Sequence, residues 1–256
     1  MSTDPTRYLA AAKELLERLE GQAEAIEQVS RLCADAIAAD GLVHLFGTGH
    51  SRMPVEEMFP RYGSYPGFNP LVELSLTFHT EVVGTNGQRQ AMFIERVEGL
   101  AEAILANFEL GPPDVMIVCS AGGRTAVPLE MADGARERGV KVVAVTSAGS
   151  PLAERADVVL ELGTPPGDAL VELDGLETPV GPGSTIAAVA LVNAVKVRTA
   201  ELLLERDALP PVLTSAAVVG DEESKRLFDA AYAEHARRAA RVLRGAGGRP
   251  GGEPAR

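Results

Sequence analysis

Small hydroxyl residues and glycines crowd into three short stretches of this sequence. They are Gly47-Thr48-Gly49-His50-Ser51, Ser120-Ala121-Gly122-Gly123-Arg124-Thr125 and Thr146-Ser147-Ala148-Gly149-Ser150. Loop hydroxyls and backbone N–H groups gathered at a helix N-terminus bind phosphate or another anion without needing a positive side chain. The second stretch organises the rest. An apolar run at 115–119 leads into it, and a helical pattern over 126–138, closed by Gly139, leads away. In the first stretch the glycines let Thr48 and Ser51 approach an anion closely; the plainer reading is a tight strand-to-helix turn. A dinucleotide fingerprint fails there, because Arg52 stands where the third glycine belongs. His50 sits among glycine and hydroxyl residues, the setting in which a loop histidine does chemistry. His79 is a second candidate, whereas His44 falls inside a strand as a core residue and His235 falls on the surface of a terminal helix. Glu56-Glu57 follows the first loop, either as a pair favourable to the helix dipole or as a source of a base.

These residues need elements to carry them. Apolar residues at steps of three and four predict an amphipathic helix over 6–39, or two helices broken at Gly21. A buried strand follows at 42–46, then a helix at 52–62 with Pro54 in its first turn. An extended segment at 68–76 reads as a second strand, 84–90 as a polar loop and 91–108 as a helix. Strands at 115–119, 141–146 and 157–162 complete the set. Segment 163–183, with four prolines and five glycines and no sustained period, reads as one long functional loop. Ser184-Thr185 then offers a cap to an apolar helix over 186–204, packed deep or at a subunit interface. Pro210-Pro211 ends that region, and a last amphipathic helix spans 222–243. Alternating strands and helices predict a mostly parallel sheet covered on both faces, with ligands at the carboxyl ends of the strands. One site can then collect all three loops.

Composition sets outer limits. The chain of 256 residues carries 36 acidic and 24 basic side chains, a net charge of −12. That argues against nucleic acid as a partner, which needs a basic face. No apolar run approaches the ~20 residues that span a bilayer, and no signal pattern opens the sequence, so no membrane role and a cytoplasmic location are expected. Cys33 and Cys119 read as buried free thiols. No Ser-His-Asp elbow, metal-ligand spacing or P-loop lysine occurs, so neither a metal nor a cofactor is expected.

The motifs GTGHS, S-x-x-G-R-T followed by a helix and Gly139, and VVAVTS with SPLAERAD, in that order, resemble a sugar isomerase (SIS) domain over about residues 25–205. More narrowly, GTGHS with EMFPRYG, GDA at 167–169, GST at 183–185 and PPVLTS at 210–215 resemble a bacterial SIS subfamily loosely named phosphosugar or phosphoheptose isomerase-like. The resemblance implies an α/β fold: a five-stranded parallel sheet flanked by helices on both faces, a flavodoxin-like three-layer sandwich. It implies a helical arm at 1–40, the SIS domain at 41–205 and a helical extension at 206–244; the glycine- and proline-rich composition of 245–256 reads as a disordered tail. It also implies a homo-oligomer, dimer or tetramer, with a small phosphorylated sugar as ligand.

For the site, the resemblance implies ligand contacts from Gly47, Thr48, Gly49, Ser51, Ser120, Gly122, Gly123, Arg124, Thr125, Thr146, Ser147, Ser184 and Thr185. Two departures from the family pattern stand out. Gly122 replaces the second serine of S-x-S-G-x-[ST], and Arg124 either compensates with a charged contact or is a solvated helix-start residue. The C-terminal histidine of phosphoheptose isomerases is missing from 184–204, which leaves His50 or His79 for that role. Glu57 matches the family glutamate before E-x-x-x-R-Y and is the expected catalytic base, with His50 as its partner. The expected activity is isomerisation through an enediol. A sugar-phosphate sensor is the rival, although such regulators carry a basic helix-turn-helix segment that neither end supplies. A lyase or etherase acting on an amino-sugar phosphate would share the same site.

Overall fold

Strands β1 (Val43–Gly47), β2 (Phe68–Leu71), β3 (Val115–Ser120), β4 (Lys141–Thr146) and β5 (Val158–Glu161) form one sheet in the order β2-β1-β3-β4-β5. Every neighbouring pair is parallel. The computed structural model describes residues 4–77 and 87–243; His79, residues 84–86 of the polar loop and the tail at 245–256 lie outside the described residues. β1, β3 and β4 are almost entirely buried, as strands covered on both faces must be.

The period-two alternation of side chains divides the core into two layers. Val43, Leu45, Val115, Ile117, Cys119, Val143 and Val145 face one layer, which holds the residues of helices α1 (Arg7–Glu20) and α2 (Ala23–Ala38). A 21-residue helix, Ser184–Leu204, shares that layer. Phe46, Met116, Val118, Val142 and Ala144 face the other, against helices Leu100–Leu105 and Ala126–Glu137. The result is the expected three-layer α/β sandwich. β1 and β3 are central, so the two loops that leave their carboxyl ends lie side by side.

Several elements are shorter than their sequence patterns. The pattern at 6–39 divides at Gly21 into α1 and α2. The helix expected at 52–62 is a 3-10 turn at Gly49–Arg52 followed by one short helix, α3 (Met53–Glu57), because Pro60 cannot continue it. The helix expected at 91–108 is two: α4 (Gly87–Ile94) and α5 (Leu100–Leu105), with Gly99 at a φ of 82° between them. Helix α6 (Ala126–Glu137) matches its expected span. The extended stretch at 68–76 gives β2 and then a 3-10 turn at Leu74–Leu76.

Segment 163–183 is not one irregular loop. It contains an antiparallel ribbon of β6 (Ala169–Val171) and β7 (Val180–Pro182), tied to α1 by the Tyr8 hydroxyl on the Pro182 carbonyl at 2.7 Å. Helix α7 is the long Ser184–Leu204, and a short α8 (Ala216–Val219) leads to α9 (Asp221–Val242).

Candidate functional site

The turn after β1 is built by glycine and threonine. A Cβ at Gly47 would run into the carbonyl of Ser51, so only glycine lets the chain fold back this tightly. Gly47 therefore shapes the loop from the end of the strand and does not line the cleft above it. The Thr48 hydroxyl, buried, donates to Glu95 Oε2 at 2.7 Å. The Ala121 N–H approaches Ser51 Oγ at 3.4 Å, which joins the first loop to the second.

The second loop is held from within. Gly123 N–H donates to Ser120 Oγ at 3.2 Å. Gly123 has a φ of 56°, and a Cβ there would lie 2.5 Å from Ser150 Oγ and 2.6 Å from Thr146 Oγ1. Thr125 is the N-cap residue of α6 in extended backbone, and its side chain makes no capping bond. A hydroxyl whose oxygen already accepts, as in Ser120, still has its proton to donate.

These loops bound a cleft of ≈ 390 Å³. Thr48, Gly49, His50 and Ser51 line it from the first loop. Ser120, Gly122, Gly123, Arg124 and Thr125 line it from the second, and Ser184 and Thr185 from the start of α7. Ten of the expected contact residues and one of the two expected catalytic ones therefore need no rearrangement to meet: His50 is in the cleft, and Gly47, Thr146, Ser147 and Glu57 are not among its lining. Thr146 is fully buried and shares a hydrogen bond with Ser150 across 3.0 Å. Ser147 gives its hydroxyl to the Ala121 carbonyl at 2.7 Å and lines a neighbouring cavity.

Glu57 ends α3. Its carboxylate pairs with Arg61 at 2.9 Å, and Asn193 of α7 stands 3.4 Å away. Beneath it, Lys196 donates to the Glu57 carbonyl at 2.8 Å. Burial pushes the Lys196 ammonium down to about 8 against the nearby Glu57 charge, so α7 carries a buried cation that its apolar pattern conceals.

Helix α4 supplies the residue that sequence reasoning missed. Gln88, Met92 and Glu95 form a wall of the cleft. The backbone fixes Glu95 at both ends, its N–H on the Ala91 carbonyl and its carbonyl accepting from Val127 N–H at the start of α6. The faint signal was a glutamate just beyond a short helix of mixed polarity, 47 residues from the threonine that holds it.

The start of α7 departs from expectation as well. Asp168, at a φ of 72°, accepts from the N–H groups of Gly183 at 3.1 Å and Ser184 at 2.6 Å, and from the Ser184 hydroxyl at 2.7 Å. The capping group is thus a carboxylate from the ribbon, and Ser184 serves it. His44 is fully buried, with Nδ1 3.1 Å from Asn69, as a core histidine should be. His235 is not a surface residue: it is half-buried edge-on to Phe59, with ring centroids 5.2 Å apart, and burial lowers its pKa. Both cysteines are buried free thiols, and burial pushes each up to about 12.

The SIS domain family model matches residues 7–147, which include β1 to β4 and both loops of the cleft. A UPF0309 protein of Streptomyces avermitilis is 34% identical over 230 residues, covering 85% of this chain and 90% of that protein. Among solved structures, a phosphoheptose isomerase from Francisella tularensis superposes with a TM-score of 0.52 at 14% identity, over 75% of this chain and 94% of its own. A phosphoheptose isomerase from Neisseria gonorrhoeae gives 0.50 at 18% identity, over 75% and 94%. At these identities the two structures establish a shared fold. Among the described residues, no helix is long and apolar enough to cross a membrane.

Proposed function

The chain belongs to the SIS domain family, and from that premise we propose that its cleft binds a phosphorylated sugar and isomerises it through an enediol. The hydroxyls of Ser51, Ser120 and Thr125, with the N–H groups at the start of α6, hold the phosphate. A carboxylate removes the proton from C2 and the electron pair forms the enediol as the carbonyl oxygen at C1 takes up a proton; return of the proton to C1, with loss of the proton on the C2 oxygen, leaves the ketose. The observation that carries this reading is Glu95, a carboxylate anchored by Thr48 in the same cleft as the phosphate loop. A base must stand within reach of the proton it takes. Glu95 lines the cleft and Glu57 does not, so Glu95 is the base and His50 is the group that serves the sugar oxygens.

The sensor reading draws support from one fact: Glu57, the carboxylate that follows the family motif, is paired with Arg61 outside the cleft lining. Both readings require phosphate binding, and a panel of sugar phosphates in a thermal-shift assay tests it, since a ligand that binds only the native state raises the melting temperature. Replacing Ser120 and Thr125 together by alanine is expected to weaken a phosphorylated ligand by about 2–3 kcal/mol, for two bonds to a charged group. The unphosphorylated sugar should bind as before. Equal losses for both would assign the loop to the sugar, or to the fold alone.

A further inference from the structure

A second cavity, of ≈ 540 Å³, lies on the other side of the phosphate loop, bounded by Ser147 and Ser150 after β4 and by Thr164, Pro165 and Gly167 before the ribbon. The two cavities share Ala121, Gly122, Arg124 and Asp168 as a common wall. We propose that they form one site, and that the sugar phosphate carries a second anionic group, which crosses over Gly122 into the second cavity and pairs with Arg124. This rests on the reading that the cleft takes a phosphorylated sugar.

Three observations carry it. The first is room. A cavity of roughly 300–1,000 Å³ already suits a ligand of drug size, so the first cavity alone accommodates a monosaccharide phosphate and the second is surplus to it.

The second is the passage. A Cβ at Gly122 would meet nothing within 4 Å, and the backbone there is outside the left-handed region. Neither packing nor conformation demands glycine at 122, in contrast to Gly123 beside it. What the missing side chain leaves is an open path over the wall between the cavities.

The third is charge. Arg124 is exposed, lines both cavities, and makes no ion pair or hydrogen bond among the described residues. Asp168, on the same wall, is already satisfied by two N–H groups and a hydroxyl. The first cavity contains the Glu95 carboxylate, whereas Asp168 is the one acidic residue lining the second. A second anion is therefore best held on the far side, away from Glu95 and against an unmatched guanidinium, whose fork suits carboxylate and phosphate alike.

Calorimetric titration of the whole chain with hexose 6-phosphate, hexose 1,6-bisphosphate and 6-phosphogluconate tests the proposal, and the last two separate phosphate from carboxylate as the second group. In the native protein at least one of the ligands with two anionic groups should bind about tenfold or more tightly than the monophosphate, the worth of one charge-assisted contact. Arg124→Gln removes the charge, and Gly122→Val obstructs the passage at a position where a side chain has space. In each variant that ratio should fall to within about twofold. A native ratio near one, or a ratio that survives both substitutions, overturns the inference while leaving phosphate binding intact. If no sugar phosphate binds at all, the proposed function falls with it.

Discussion

Adjacent glycines in the phosphate loop have opposite physical roles. Gly123 is at a φ of 56° with Thr146 and Ser150 crowding the place of a Cβ, whereas Gly122 faces open space. Gly123→Ala should therefore cost about 1–3 kcal/mol of stability, from left-handed strain plus displaced hydroxyls. Gly122→Ala should stay within about 0.5 kcal/mol, the usual range for an exposed substitution. Urea unfolding of the two variants gives the comparison, and equal losses would contradict the loop geometry. The same loop shows what can be read from residue types. Ser120 and Thr125 were legible as cleft hydroxyls, because a strand, a small loop and a helix fix where they lie. Thr146 was not, because its sequence context resembles theirs while its hydroxyl is used on Ser150 inside the core. Glu95 was hidden for the reverse reason: its partner Thr48 is far away in sequence, and no local pattern announces the bond.

At the scale of elements, β1, β3, β4 and β5 were legible from apolar runs, since burial leaves a dense signature, whereas β2, only half buried, was legible as no more than an extended segment. What failed were boundaries set by tertiary contacts. The ribbon of β6 and β7 has strands too short for a period to register, and its role, to deliver Asp168 to the start of α7, is invisible without the pairing. Helix α7 carries an exposed apolar stripe: Val197 is 61% and Leu204 67% exposed, with Ile186 and Ala190 half-buried in line with them. A stripe of this kind on a helix whose other face fills the core suits an isologous contact between two copies. The chain is expected to sediment as a dimer or larger at micromolar concentration, and Val197→Lys with Leu204→Lys should shift it toward monomer without unfolding it. A monomeric native chain would refute this.

For the molecule as a whole, the C-terminal helix α9 is locked to the sandwich by ionic contacts. Arg238, buried, donates to the carbonyls of Ile37 and Gly41 at 2.9 Å each, and Asp40 pairs with Arg237 and Arg241. Hydrogen bonds from Arg237 above all hold both Asp40 and Glu234 down to about 2. A carboxyl depressed on folding gives stability that is present above its unfolded value, roughly 4, and is lost as pH falls through the folded one. Stability should therefore drop between about pH 4.5 and 2, and Asp40→Asn should lose less over that window; both groups are partly exposed, so the effect is modest and screened by salt. Urea midpoints at pH 7, 4 and 3 check this, and identical acid profiles for the two proteins would contradict it. The central claim, that the cleft moves a proton on a bound sugar phosphate, is tested most directly by exchange of the sugar's C2 proton with heavy water, followed by NMR for ligands that raise the melting temperature. Exchange in the native chain, reduced roughly 10²–10⁴-fold in Glu95→Gln with affinity largely kept, is the predicted result, in line with what a positioned base contributes. Exchange that survives Glu95→Gln and vanishes in Glu57→Gln would move the base to the other carboxylate, and tight binding with no exchange for any ligand would contradict the isomerase and leave a sensor.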